Sequence, residues 1–227
     1  MKQLPLGVRL QDRALFDGFL AGANAQALAA ARGFAAGQGA TLLYLHGIEG
    51  VGKSHLLQAI CAAVPGAAYL PLYQLRDRDA ALLEGTSGLP LIAIDDPQAI
   101  AGEPEWERRL FTLYNDSLAA GTRLVVGARE PAVDLPLALP DLRSRLAAMP
   151  HYALRPLDEA QQRAALQARA AVRGIQLPEE TLQYLQRRFA RDMGSLYALL
   201  ERLDVASLEA QRPVTVPFIR SVLDEDG

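Results

Sequence analysis

Gly47-Ile48-Glu49-Gly50-Val51-Gly52-Lys53-Ser54 fits the pattern G-x-x-x-x-G-K-[ST] at every fixed position. Each fixed residue answers a physical need. Glycines let the backbone curl until successive N–H groups converge on one phosphate. A helix starting at the end of the loop adds free amides and the positive end of its dipole. Lys53 supplies a mobile cation for the outer phosphates, and Ser54 a hydroxyl ligand for Mg2+. The flanks agree, with a short apolar run at residues 41–45 before the loop and a helical pattern over 54–63 after it. Lys53 carries extra weight because, of 23 basic residues, only Lys2 and Lys53 are lysine and the rest are arginine. The spacing therefore predicts a phosphate-binding loop rather than a chance glycine-rich turn.

Outward from the loop, strand and helix patterns alternate. Residues 24–36 are rich in alanine and predict a helix with Asn24 as N-cap and Gly37 as its stop. Residues 67–72 and 89–94 read as strands, 74–83 and 104–119 as helices, and 124–126 as a further strand. Short apolar strands alternating with amphipathic helices predict a parallel sheet covered on both faces. The strand Leu91-Ile92-Ala93-Ile94 runs out into Asp95-Asp96. Asp95 at a strand end can hold Mg2+ through water, and Asp96 can orient an attacking water. The plainer reading of both is a strand exit with two solvated acids.

Near Pro156 the pattern changes to helices alone, at 158–173, 178–190, 192–211 and 217–223. Pro178 and Pro217 stand where a first helical turn tolerates proline. The expected organisation is an extended tail at 1–10, an α/β core at 11–156 and an all-helical subdomain at 157–227.

Composition sets the limits. The chain has 227 residues, 50% of them hydrophobic and 22% charged, enough to bury a core. A net charge of -3 argues against a wide basic surface for nucleic-acid backbones. Arg187 and Arg188 read as a solvated helix face, and Trp106 as packing in or over the core. The single Cys61 excludes an intrachain disulfide and reads as a buried, inert thiol. No apolar stretch approaches the ~20 residues of a membrane span. Arg9, Asp12 and Arg13 interrupt any secretory signal, so a reducing cytoplasm is expected. His46, His55 and His151 lack ligand spacing, so no metal is expected beyond nucleotide-bound Mg2+ held by Ser54 and Asp95.

Together these motifs resemble the AAA+ ATPases, and within them the DnaA-like branch. Phe16-Asp17-Gly18-Phe19, followed by Gly22 and Asn24, is similar to the stretch that cradles adenine there. Pro140-Asp141-Leu142-Arg143-Ser144-Arg145-Leu146 resembles the S-R-[FL] motif, whose Arg belongs at a subunit interface. Asp192-Met193-Gly194-Ser195-Leu196-Tyr197 is similar to the start of the lid helix that carries a second sensor. The resemblance implies a P-loop AAA+ core with a parallel sheet flanked by helices, plus a small all-helical C-terminal lid. It implies bound ADP or ATP with Mg2+, contacted by Gly47, Ile48, Glu49, Gly50, Val51, Gly52, Lys53, Ser54, His55, Phe19, Asn24 and Asp95.

Two features set the chain apart from DnaA. It stops near the end of the lid, leaving no expected room for a helix-turn-helix domain. It also begins Gln3-Leu4-Pro5-Leu6-Gly7-Val8, similar to peptides that dock on the replicative sliding clamp. An extended peptide of this kind can place Leu4, Leu6 and Val8 in apolar pockets while Gln3 fixes register. A short DnaA-like protein with such a peptide resembles the Hda family, regulatory inactivators of DnaA. The implied partners are the DNA polymerase III sliding clamp (beta) and DnaA-ATP. Self-association stays open, and neither sequence-specific DNA binding nor a membrane is implied. Arg145 would act in trans on the nucleotide of DnaA, and Asp96 would be the second catalytic candidate; the bland alternative pairs Arg145 with Asp141.

The chain departs from the family at both sensor positions. Gly194 stands where a lid Arg is usual, with Arg191 one turn earlier as a partial substitute or a solvated residue. Ala128 stands where a polar residue senses the γ-phosphate. Weak or no ATPase of its own is therefore expected. The rival readings are a self-contained P-loop ATPase or small-molecule kinase, and a DnaA-like loader or membrane-targeting adaptor without a clamp link.

Overall fold

In the computed structural model the described residues are 15–188 and 193–224, without the side chains of Val172 and Asp224. The clamp-type peptide with Gln3, Leu4, Leu6 and Val8, the tail 1–10 and Arg191 lie outside them. The chain divides into two units, residues 1–48 with 53–154 and residues 49–52 with 155–227.

In the first unit five strands form a parallel sheet in the order β2-β3-β4-β1-β5. They are β1 (Leu42–His46), β2 (Ala68–Pro71), β3 (Leu91–Asp95), β4 (Arg123–Ala128) and β5 (His151–Ala153). Every residue of β3 is buried, as a central strand covered on both faces requires. Register brings His46 opposite Ala128 and Asp95 opposite Gly127. The carboxyl ends of β1, β3 and β4 thus share one edge, and the phosphate-loop sequence follows directly from β1. Open parallel sheets take ligands at this edge.

Helices α1 (Ala25–Ala35), α2 (Lys53–Ala63), α3 (Leu72–Leu75), α4 (Pro104–Ala120) and α5 (Pro140–Ala147) cover the sheet. Leu56, Leu57 and Ile60 of α2 are fully buried. The carbonyl end of α1 is closed by Arg123 of β4, whose Nη1 donates to Phe34 O at 2.7 Å and Ala35 O at 2.9 Å. A cation there satisfies orphan carbonyls and the negative end of the helix dipole. Helix α4 starts on Pro104 and stops at Gly121, which takes φ 73°.

Two expectations need correction. Asn24 precedes α1, but its side chain makes no capping bond; it is buried at the end of a 3-10 turn, Gly22–Asn24. The helix expected over 74–83 is broken into α3 and a 3-10 turn, Ala80–Leu83. Asp79 takes extended backbone between them, and its carboxylate accepts from Ala81 N at 2.9 Å. This local bond outcompetes helix continuation, as aspartate side chains often do. Trp106 is buried, and its Nε1 donates to Arg76 O at 3.1 Å in the same break.

The second unit holds α6 (Glu159–Val172), α7 (Glu179–Arg188), α8 (Met193–Ala210) and α9 (Val216–Asp224). Asp158 and Gln161 form a capping box at the start of α6, each side chain bonded to the other's backbone N–H. Leu166, Leu182, Leu196, Leu203 and Ile219 form the core of the unit. Arg169 and Arg173 of α6 share Glu201 of α8, and Arg173 also bonds Asp204 at 3.2 Å. Arg187 and Arg188 are exposed at the end of α7, as their solvated reading expects. Among the described residues no helix is long and apolar enough to cross a membrane.

Candidate functional site

The site begins where β1 ends. Gly50 and Gly52 adopt φ 78° and 101°, left-handed values that side-chain-bearing residues resist. In the first unit Lys53 is only 6% exposed, and its Nζ donates to Gly47 O at 2.8 Å and Ile48 O at 3.0 Å. A buried ammonium is costly unless hydrogen-bonded, and these carbonyls hold it at the loop. Ile48 itself is 56% exposed.

Asp95 closes β3 beside this cation. Burial raises its carboxyl well above the ordinary range, while the hydroxyls of Ser54 and Tyr69 and the charge of Lys53 oppose that shift. Tyr69 Oη donates to Asp95 Oδ2 at 2.6 Å. The other oxygen, Oδ1, is buried with no hydrogen-bond partner in the protein. Across from it stands Gly127, where a Cβ would collide with Leu57 Cδ1 and lie 3.1 Å from Oδ1. A buried carboxylate oxygen without a protein partner, next to a position where a Cβ would crowd Leu57 and the oxygen itself, suits the hydration shell of a divalent cation. Ser54 and Asp95 are the residues that would hold Mg2+, and the donor set is chemically right for it. Among the described residues no group of three His, Cys, Asp or Glu forms a separate metal cluster.

Asp96 has left-handed backbone, φ 56° and ψ 55°. For a non-glycine residue that costs about 1–2 kcal/mol, and such strain concentrates at functional positions. The bend turns its carboxylate to Gln98, whose Nε2 donates to Oδ1 at 2.6 Å, while Asp96 N donates to Gly127 O.

The entry segment meets the start of α2. The rings of Phe19 and His55 lie 5.7 Å apart, and His55 Nε2 is 2.9 Å from Leu15 O. Phe19 and His55 are therefore brought together, whereas Asn24 is buried at the base of α1. Ala128 is the last residue of β4 and fully buried, so it sits within the strand rather than after it, and its methyl offers no polar contact. Gly194 lies in the first turn of α8.

Arg143 and Arg145 are both exposed on α5, whose inner face is Leu142 and Leu146. Burial raises the Tyr114 hydroxyl above its ordinary value and the charge of Arg145 pulls it back. Among the described residues no acid pairs with Arg145, so the alternative pairing with Asp141 is not formed.

Four residues of this region were missed by motif reading. Tyr69 and Gly127 reach Asp95 only through strand register, and Gln58 lies beside the Tyr69 hydroxyl from α2. Glu107 of α4 is 1% exposed and accepts three backbone N–H groups, from Gly102 (2.8 Å), Ala138 (3.0 Å) and Leu139 (2.6 Å). The last two lead into α5. Two of the histidines, scattered in sequence, also meet: Tyr44 stacks on His151 at 4.4 Å, and His46 and His151 rings lie 5.9 Å apart. Burial and the charge of His151 hold His46 below its ordinary value. Cys61 is buried as expected, which pushes its thiol up to about 12.

Comparison with known proteins places this geometry. The family model for the Hda lid domain matches residues 158–223, and that for the bacterial DnaA ATPase domain matches residues 10–69. Among solved structures, domain III of the Thermotoga maritima replication initiation protein DnaA aligns with a TM-score of 0.79 at 23% identity, covering 93% of this chain and 96% of that one. AMPPCP-bound DnaA from Aquifex aeolicus aligns at 0.68 and 16% identity, over 88% of this chain and 68% of that one. A variant of Thermotoga maritima RuvB aligns at 0.66 and 15% identity, over 95% and 73%. At these identities the structures speak for the fold, and the two family models speak for the branch. The two family models, one over the phosphate loop and one over the lid segment, support a DnaA-like AAA+ protein of the Hda type.

Proposed function

We propose that this chain is a negative regulator of replication initiation that acts on DnaA. The observation that carries the reading is the presence, on one chain, of an Hda-type lid segment and a DnaA-type phosphate loop. An exposed Arg145 that pairs with no acid among the described residues supports it, because a guanidinium that acts in trans must be free to leave its own surface. The core at 11–156 holds an adenine nucleotide, ADP or ATP, with Mg2+, and 157–227 is the lid segment. Lys53 and the loop amides take the phosphates, Ser54 and Asp95 the cation, and Phe19 and His55 the base side. The peptide Gln3–Val8 docks on the sliding clamp, and Arg145 then reaches the nucleotide of DnaA and promotes its hydrolysis. The cation, when bound, neutralises phosphate charge, and Asp96 would orient a water.

Ala128 brings only a methyl and Gly194 no side chain to the sensor positions, so the nucleotide serves as a structural ligand. Lys53→Ala is expected to weaken ADP and ATP alike by about tenfold or more, the scale of a lost charge-assisted hydrogen bond. Titration calorimetry checks this. A wild-type preference for ATP over ADP of about tenfold would overturn the reading of Ala128 and Gly194.

The clamp link has its own test. Gln3→Ala combined with Leu6→Ala is expected to abolish retention on purified sliding clamp while thermal unfolding stays unchanged, because a peptide's few anchors carry most of its binding. Undiminished retention would leave the loader or adaptor reading in place of the clamp-dependent one.

A further inference from the structure

Asp95 stands between two neighbours of opposite character. On the β2 side, Tyr69 Oη holds Oδ2 at 2.6 Å. On the β4 side, Gly127 leaves Oδ1 uncovered, buried and without a partner. The two oxygens of a free carboxylate are interchangeable by rotation. A short, charge-assisted bond to one of them removes that freedom and fixes which oxygen is left without a protein partner. Tyr69 is itself held on the other side, since Ser54 and Gln58 of α2 adjoin its hydroxyl. One phenol therefore touches the surroundings of both residues to which the nucleotide reading gives the cation. A phenylalanine would pack in the same space and do none of this.

We propose that Tyr69 is the positioning residue for the divalent cation: its hydroxyl pins Asp95 Oδ2, so that Oδ1 alone is presented to the hydrated Mg2+ that accompanies a bound nucleotide. This rests on the reading of Gly47–Ser54 as a nucleotide site, and it concerns the cation rather than the phosphates. Of the loop residues Tyr69 adjoins Ser54, which the nucleotide reading gives to the cation, so its effect is expected in the metal-dependent part of binding.

The test is ADP binding by the full chain, wild type and Tyr69→Phe, in Mg2+ and in EDTA, read by calorimetry. Tyr69→Phe removes one oxygen and keeps the ring, and its unfolding midpoint is measured alongside. Wild type is expected to gain about tenfold or more from Mg2+. Tyr69→Phe is expected to bind ADP in EDTA within about twofold of wild type, yet to gain less than about threefold from Mg2+, as befits one lost hydrogen bond to a charged oxygen. An undiminished Mg2+ gain in the variant overturns the proposal. So does equal weakening in both arms, which marks a packing role only. A wild type that binds ADP equally well with and without Mg2+ overturns it too and spares the nucleotide reading. No ADP binding by wild type in either arm removes the nucleotide reading itself, and the proposal with it.

Discussion

Arg145→Ala is expected to keep nucleotide and clamp binding yet lose stimulation of DnaA-ATP hydrolysis. The guanidinium is planar and always charged, and its fork offers donors that lysine cannot reproduce. It stabilises charge that develops on phosphoryl oxygens, and fingers of this type contribute about 10³–10⁵ in rate in GTPases. A smaller loss, on the order of tenfold or more, is expected here, because DnaA surrounds its nucleotide with residues of its own. Arg143 is the internal control. It lies two residues away on α5 and so on another side of the helix, and only the charge of Arg145 is felt at Tyr114. Arg143→Ala should keep most of the stimulation. Full stimulation by Arg145→Ala would defeat the trans-acting mechanism and leave the fold and nucleotide site untouched.

Glu107→Ala should cost about 3–5 kcal/mol of stability, the scale of leaving three buried backbone donors without their acceptor. The carboxylate accepts from Gly102 N, Ala138 N and Leu139 N at once, and truncation leaves these donors without their acceptor and opens a void beneath them. For a chain of this size that corresponds to a melting point lower by about 10 °C. Glu107→Gln should fall between, since an amide offers one acceptor oxygen and turns its NH2 towards a donor. Because Ala138 and Leu139 lead into α5, a folded Glu107→Gln protein should also lose part of the stimulation that needs Arg145. Thermal unfolding within about 1 °C of wild type for Glu107→Ala would show that the three bonds carry no net stability.

The phosphate loop was legible because its chemistry is contiguous: eight residues in a row, each type required by one phosphate. Asp95 was legible as the acid that ends an apolar strand, though its burial was not. The helices of the second unit were legible through Asp158, Pro178 and Pro217, residues that mark first turns by their own backbone chemistry. What escaped was everything that register assembles. Tyr69, Gly127 and Asp95 lie on three strands, and nothing in the periodicity of any one of them points to the others. Glu107 looked like one more charged residue on an exposed helix, and only the return of residues 138 and 139 shows why it is buried. His46 and His151 likewise meet through the β1–β5 pairing alone. The helix expected over 74–83 failed for a local reason, the Asp79 bond to Ala81 N, which apolar spacing does not register.

The account turns on action in trans, and hydrolysis of DnaA-bound ATP measures it most directly. Purified DnaA-ATP is followed with the wild-type chain, with sliding clamp loaded on DNA, and with both together. The account predicts slow hydrolysis with either one alone and a clear acceleration with both, lost when the chain carries Arg145→Ala. An unchanged rate with both present would contradict it, as would hydrolysis of ATP by this chain alone at a comparable rate, which would make it a self-contained ATPase.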